Sequence, residues 1–212
     1  MKNQLSLLPI TCFLNKVSSA APVPGGGSVS ALYGAIASSL TTMVANLTID
    51  KKNYHNFSNI MKEVILNMNK HSIRFLSFID KDAEAYSLVV ASFKLPKSNS
   101  DEINKREQAI EESTLYAAKI PLNIAREAAK MMELIEIVIL HGNKNASTDA
   151  CIAMMSARNA ILGASLNVRI NLTNLKDKVK AKMIEQMVIE LEVAAKQKEE
   201  EMIAHIIKSL EL

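Results

Sequence analysis

The sequence predicts an all-α fold, a multihelical array of long and short helices around a buried central helix, and three observations predict it. Apolar residues recur at intervals of three and four along most of the chain, the spacing of one face of an α-helix. Hydrophobic residues make up 49% of the sequence but aromatics only 4%, so the apolar content is mostly Ala, Leu, Ile, Val and Met, the profile of helical arrays. Strand signals, in which apolar and polar residues alternate between turn clusters, are almost absent.

About seven helices follow in order. A short one is expected near 9–18, then a Pro/Gly turn, then a second helix near 28–47. A long third helix covers about 54–93. Pro96 in LPKSNSDEINKRE ends that region, and Ser100 with Asp101 can cap the next. The fourth runs to Ile120, where Pro121 either starts a fifth or kinks a continuous helix. The fifth ends at Gly142, the sixth spans about 149–171 and the seventh runs from about 175 toward the C-terminus. No long flexible linker divides the chain, so a single helical domain over residues 1–212 is expected.

The second helix is apolar on both sides. Val29, Leu32, Ile36, Leu40, Met43 and Leu47 form a bulky face, and Ala31, Ala35, Ser38, Thr42 and Ala45 form a small one. Small residues let other helices approach closely, which places this helix at the centre. The sixth helix repeats the pattern, with Ile152, Met155, Leu162 and Leu166 against Ala153, Ala157, Ala160 and Ala164. In the last helix, Leu175, Val179, Met183, Met187 and Leu191 form an expected seam, which also suits a dimerising scaffold.

Composition narrows the function classes. The formal net charge is +3, and the only basic cluster, lysines 176, 178, 180 and 182 around Asp177, is too modest for a nucleic-acid footprint. Cys12 and Cys151 are far apart and lack metal-ligand spacing, which favours a reducing cytoplasm over a disulfide or zinc framework. No charge occurs from Val17 to Ile49, but Gly, Ser, Thr and Asn interrupt the stretch, so a buried helix is expected and not a membrane span.

Polar residues that interrupt the apolar pattern supply the candidates for chemistry. The third helix carries a stripe at Val64, Met68, His71, Phe75, Ile79, Asp82, Tyr86, Val89 and Phe93. Asp82 stands where an apolar residue belongs, so it is either an acid or base or a carboxylate held by a neighbouring helix end or lysine. His71 reads more simply as a satisfied core histidine. Asn167 and Asn171, four residues apart, either bind the edge of a polar ring or tie helices together. Asp149 in NASTDACIA reads first as a helix cap. In PVPGGGS the prolines stiffen the approach, while Gly25, Gly26 and Gly27 allow positive φ and unobstructed amides that, with Ser28, can meet a carboxylate or polar ligand.

Together, PVPGGGSVSALYGAIASSLTTMVANLT, FIDKDAEAYSLVVASFKLPK, Arg106, AAKIPL, NASTDACIA and NVRINL resemble the cyclodeaminase/cyclohydrolase family. That family includes the C-terminal domain of formimidoyltransferase-cyclodeaminase and stand-alone methenyltetrahydrofolate cyclohydrolases. The resemblance runs from about Phe13 to Leu175. Val23 stands where Thr is common and Tyr86 where Phe is frequent. The resemblance implies a cytoplasmic, usually dimeric, all-helical enzyme that acts on one-carbon adducts of tetrahydrofolate, polyglutamylated forms included, and needs no metal or other cofactor.

The resemblance gives Asp82 a proton-transfer role, Gly25, Gly26, Gly27 and Ser28 the shaping of a folate pocket, and Asp149, Asn167 and Asn171 its lining or organisation. Lys94 and Arg106 become anchors for substrate carboxylates. It implies hydrolysis of 5,10-methenyltetrahydrofolate to 10-formyltetrahydrofolate, or closure of 5-formimidoyltetrahydrofolate with loss of ammonia. A non-catalytic folate-binding or dimerising module is the alternative of another class.

Overall fold

The structure is a computed structural model describing residues 4–210. Among the described residues six α-helices follow in order: α1 (Ile10–Val17), α2 (Gly26–Thr48), α3 (Ser58–Phe93), α4 (Ser100–His141), α5 (Ser147–Thr173) and α6 (Lys178–Ser209). Short 3-10 turns occupy Leu5–Leu7, Lys52–Phe57 and Lys144–Ala146, and no strand occurs among the described residues. The fold is therefore all-helical, and the expected fourth and fifth helices are one. Pro121 lies inside α4, with its ring buried. The cap of that helix is Asn99, one residue before the expected pair, and its side chain accepts from the Glu102 N–H.

The central helix is α2, packed chiefly against α3 and α5 and also against α4. Its buried residues are almost all small, from Gly27 and Ser28 through Ala31, Gly34, Ala37 and Ser38 to Thr41, Ala45 and Thr48. A Cβ on Gly34 would stand 2.3 Å from the Phe75 ring, and one on Gly163 of α5 would stand 2.5 Å from Ser30 Oγ. Hydroxyls at this crowded face bond back to their own helix: Ser38 to the Ala35 carbonyl at 2.8 Å, Thr41 to Ala37 at 2.7 Å and Thr48 to Val44 at 2.7 Å. Burying them therefore leaves no donor unpaired.

The bulky faces are less buried: Val29, Leu32 and Leu40 pack partly against the core, and the rest lies outward. Ile36 of α2 is 40% exposed and Leu166 of α5 is 65% exposed, while Ala153, Ala157, Ala160 and Ala164 are fully buried. Close helix approach favours small side chains at the contact, so volume goes to the outside. By length and composition α2 could cross a membrane, yet 56% of its most apolar window is buried within the protein.

The α6 seam also differs from expectation. Leu175 is buried and Leu191 packs against the core as expected, but Val179 and Met183 are exposed, and the buried line within α6 is Ile184, Val188, Ala195, Met202 and Ile206. Ion pairs hold this rotation: Arg169 with Glu185 and Glu192, Arg158 with Glu199, and Lys198 with Glu136.

Between α3 and α4, His71 Nδ1 lies 2.8 Å from Glu127 Oε1, which also accepts from Arg74 Nη1 at 2.6 Å. His71 is thus a satisfied core residue, and Glu127 is a buried carboxylate that nothing in the apolar pattern marks. Glu127→Ala should cost about 1.5–3 kcal/mol in chemical denaturation, because it strands a buried imidazole and removes charge-assisted bonds. Equal stability of variant and parent would show that the trio contributes nothing.

Candidate active site

The PVPGGGS turn delivers the first turn of α2 against the middle of α3. Gly25 is the N-cap, at φ −123° and ψ −156°, and Gly26 and Gly27 are the first helical residues. No described glycine has positive φ, so conformational freedom is not why they are glycines. Closeness is the reason at Gly27 and, to a lesser degree, at Gly26. A Cβ on Gly27 would stand 2.0 Å from Asp82 Oδ1 and 2.6 Å from Asp82 Cγ, and one on Gly26 would stand 3.2 Å from Asn167 Nδ2. Only a bare backbone lets the carboxylate and the amide converge there.

Ser28 Oγ lies 2.9 Å from Asp82 Oδ2 and 3.1 Å from the Ile79 carbonyl, so its proton is shared between them. Burial pushes the Asp82 carboxyl above the ordinary aspartate range, and the Ser28 hydroxyl and backbone pull it partly back. The N-terminal end of α2 favours the ionised form in the same way. The carboxylate is therefore largely desolvated and held by the hydroxyl and backbone of Ser28, a setting suited to moving a proton.

Asn167 and Asn171 of α5 form the facing wall. Asn167 Nδ2 donates to the Gly163 carbonyl at 2.8 Å. Asn171 Nδ2 donates to the Asn167 carbonyl at 2.8 Å and the Ala117 carbonyl at 3.2 Å. Both amide nitrogens thus tie backbone, and neither Oδ1 accepts a hydrogen bond among the described residues. Asn167 and Asn171 line a cavity of about 290 Å³ together with Asp82, Tyr86, Gly25, Gly26 and Gly27. That volume is near the small end of ligand pockets, enough for the reacting end of a larger molecule.

The family described as formiminotransferase-cyclodeaminase matches residues 9–208. The chain belongs to this family. It is 36% identical over 169 residues to a methenyltetrahydrofolate cyclohydrolase of Methylorubrum extorquens, covering 80% of this chain and 81% of that protein. It is 28% identical to the formimidoyltransferase-cyclodeaminase of Rattus norvegicus over 80% of this chain, but spans only 31% of that longer protein. A solved formiminotetrahydrofolate cyclodeaminase from Thermotoga maritima superposes with a TM-score of 0.84 at 26% identity, covering 96% of this chain and 99% of the other.

Within this family member, the structure gathers Gly25, Gly26, Gly27, Asp82, Asn167 and Asn171 around one cavity, with Ser28 bonded to Asp82 behind it. Lys94 caps the C-terminus of α3, 12 residues beyond Asp82 and so about 18 Å along the axis. Arg106 sits beside it, donating to the Phe93 carbonyl at 3.4 and 3.2 Å with its guanidinium over the Phe93 ring. Both cations lie outside the cavity, at one end of its α3 wall.

Asp149 does not line the cavity. It occupies the first turn of α5, 18 residues from Asn167, a separation of about 27 Å along the helix. Nor is it the cap, which is Ala146; a carboxylate in a first turn complements the helix dipole. Tyr86 and Val89 fell in the expected core stripe but line the cavity instead. Their signal was position: they follow Asp82 by four and seven residues, on the same face. Ala117 and Ile170, also in the lining, carried no chemical signal in the sequence.

Proposed function

We propose that this protein hydrolyses 5,10-methenyltetrahydrofolate to 10-formyltetrahydrofolate. The observation that carries the reading is the Asp82 carboxylate, pressed against the α2 backbone at Gly27 in the wall of a cavity that Asn167 and Asn171 also line. The 36% identity to a methenyltetrahydrofolate cyclohydrolase supports it. A cationic amidinium suits such a site, because a desolvated carboxylate stabilises positive charge better than water-exposed groups do. The Oδ1 atoms of Asn167 and Asn171 accept hydrogen bonds from ring N–H and amino donors of the pterin.

In this reaction Asp82 takes a proton from water as its oxygen bonds to the methenyl carbon. The tetrahedral adduct then breaks its bond to N5, which receives the proton held by Asp82. The hydroxyl proton of the adduct leaves as the formyl carbonyl forms, so one proton is released overall. A carboxyl lifted above its ordinary range by burial serves as base in the first half and acid in the second. The distal glutamate of the substrate reaches toward Lys94 and Arg106.

The likeness to the Thermotoga maritima cyclodeaminase favours a second reading, in which N10 of 5-formimidoyltetrahydrofolate attacks the formimidoyl carbon and ammonia departs. Purified protein is offered both folates. Accelerated decay of the methenyl chromophore, above its spontaneous hydrolysis, supports the first reading. Methenyl formation with ammonia release supports the second. Thermal stabilisation by folate with no turnover would replace both with a binding module.

The outward stripes supply a place for the expected homodimer. Gly26 beside Asn167 and Ser30 beside Gly163 make α2 and α5 antiparallel neighbours. Rotation at 3.6 residues per turn from those contacts places Ile36, Met43 and Leu47 on the same side of the pair as Met155 and Leu166. All five are substantially exposed. An apolar face of this extent suits pairing with a second copy. Ile36→Glu combined with Met43→Glu should yield a monomer in light scattering with unchanged helicity; a parent already monomeric at tens of micromolar would remove the proposal.

A further inference from the structure

Pro121 sits within α4 with its ring buried, where a proline normally costs helix stability. Lacking an N–H, it cannot donate to the carbonyl four residues earlier, which is that of Ala117. That carbonyl is the one Asn171 Nδ2 reaches across from α5, at 3.2 Å, and Ala117 lines the cavity. The other Asn171 amide proton goes to the Asn167 carbonyl at 2.8 Å.

We propose that Pro121 is a positioning residue for Asn171: by leaving the Ala117 carbonyl open, it fixes the amide with Nδ2 toward the helices and Oδ1 toward the cavity. Both amide protons then have backbone acceptors. Turning the amide over would forfeit both bonds and present a donor where the substrate also carries donors. A helix-breaking residue in α4 thereby sets the polarity of a binding wall on the next α-helix, α5. The consequence for substrate rests on the folate reading, but the amide orientation does not.

Two measurements separate these levels. In the full-length protein labelled with ¹⁵N-asparagine, the Asn171 side-chain NH₂ pair is identified by its loss in Asn171→Ala. Pro121→Ala restores an N–H that competes for the Ala117 carbonyl and should shift that pair, with no folate present; Pro121→Val serves if the smaller side chain impairs folding. Kinetically, Pro121→Ala should raise KM about three- to tenfold, the scale of one hydrogen bond, with kcat little changed. The same substitution in an Asn171→Ala background should leave KM where Asn171→Ala put it. An unmoved NH₂ pair, or additive effects on KM, would overturn the proposal. If no folate is turned over, the NMR result alone decides it.

Discussion

Asp82→Asn is expected to lower turnover by about 10² to 10⁴-fold, the usual contribution of a positioned general acid–base, while leaving the helical content intact. The substitution is nearly isosteric, and Ser28 Oγ can still donate to the amide oxygen in place of Asp82 Oδ2. The pH dependence provides a second reading of the same group. Because burial raises the Asp82 carboxyl, kcat/KM should fall on the acid side through an apparent pKa above that of an ordinary aspartate, and this limb should vanish in the variant.

Stability should move the other way. A carboxyl whose folded pKa is raised above its unfolded value contributes stability that is fully present below the unfolded pKa. That contribution is lost as pH rises through the folded value. Asparagine carries no such penalty, so the Tm of Asp82→Asn relative to the parent should improve as pH rises from the ordinary aspartate range through the raised folded value. Unchanged turnover would end the proton-transfer role, and a collapse of helicity would make Asp82 a structural residue.

Gly27→Ala should be nearly as damaging to activity as loss of the carboxylate itself. The added Cβ would stand 2.0 Å from Oδ1, far inside contact distance, so either Asp82 or the first turn of α2 must move. A displacement of about 1 Å in a reacting group costs on the order of 10² in rate, and overpacking costs about 1–3 kcal/mol in stability. The neighbouring glycines make internal controls. Gly26→Ala meets the tip of Asn167 at 3.2 Å and Gly25→Ala meets the Pro22 carbonyl at 3.4 Å, so both should be milder. Steady-state kinetics on the three variants should rank position 27 well below 26 and 25; equal effects at all three would mean that flexibility, and not closeness to Asp82, selects glycine here.

Much of this site is legible in the sequence, because its signals are local. Asp82 interrupts an apolar stripe of period three to four, Asn167 and Asn171 share a helix face, and half the glycines of the chain stand in one turn. The grounds for those glycines were not legible. None of them has positive φ, and the need for Gly27 arises from a side chain 55 positions away in sequence. Asp149 shows the converse. Its motif sits in the same helix as Asn167, but a helix rises only about 1.5 Å per residue in one direction and cannot fold back to bring them together.

The sequence by itself determined the helices: their number to within one, their approximate ends and which residues share a face, since all of these follow from 3.6-residue periodicity and local breakers. Tertiary structure decided which face turns inward. On α2 and α5 the small residues were buried in preference to the bulky ones, and on α6 ion pairs to α4 and α5 fixed the rotation. It also decided what Pro121 does, since the open Ala117 carbonyl has meaning only beside Asn171. Periodicity fixes angles within one helix; the angle of a helix relative to its neighbours is set by how closely their surfaces can meet, and that is a property of pairs distant in the chain.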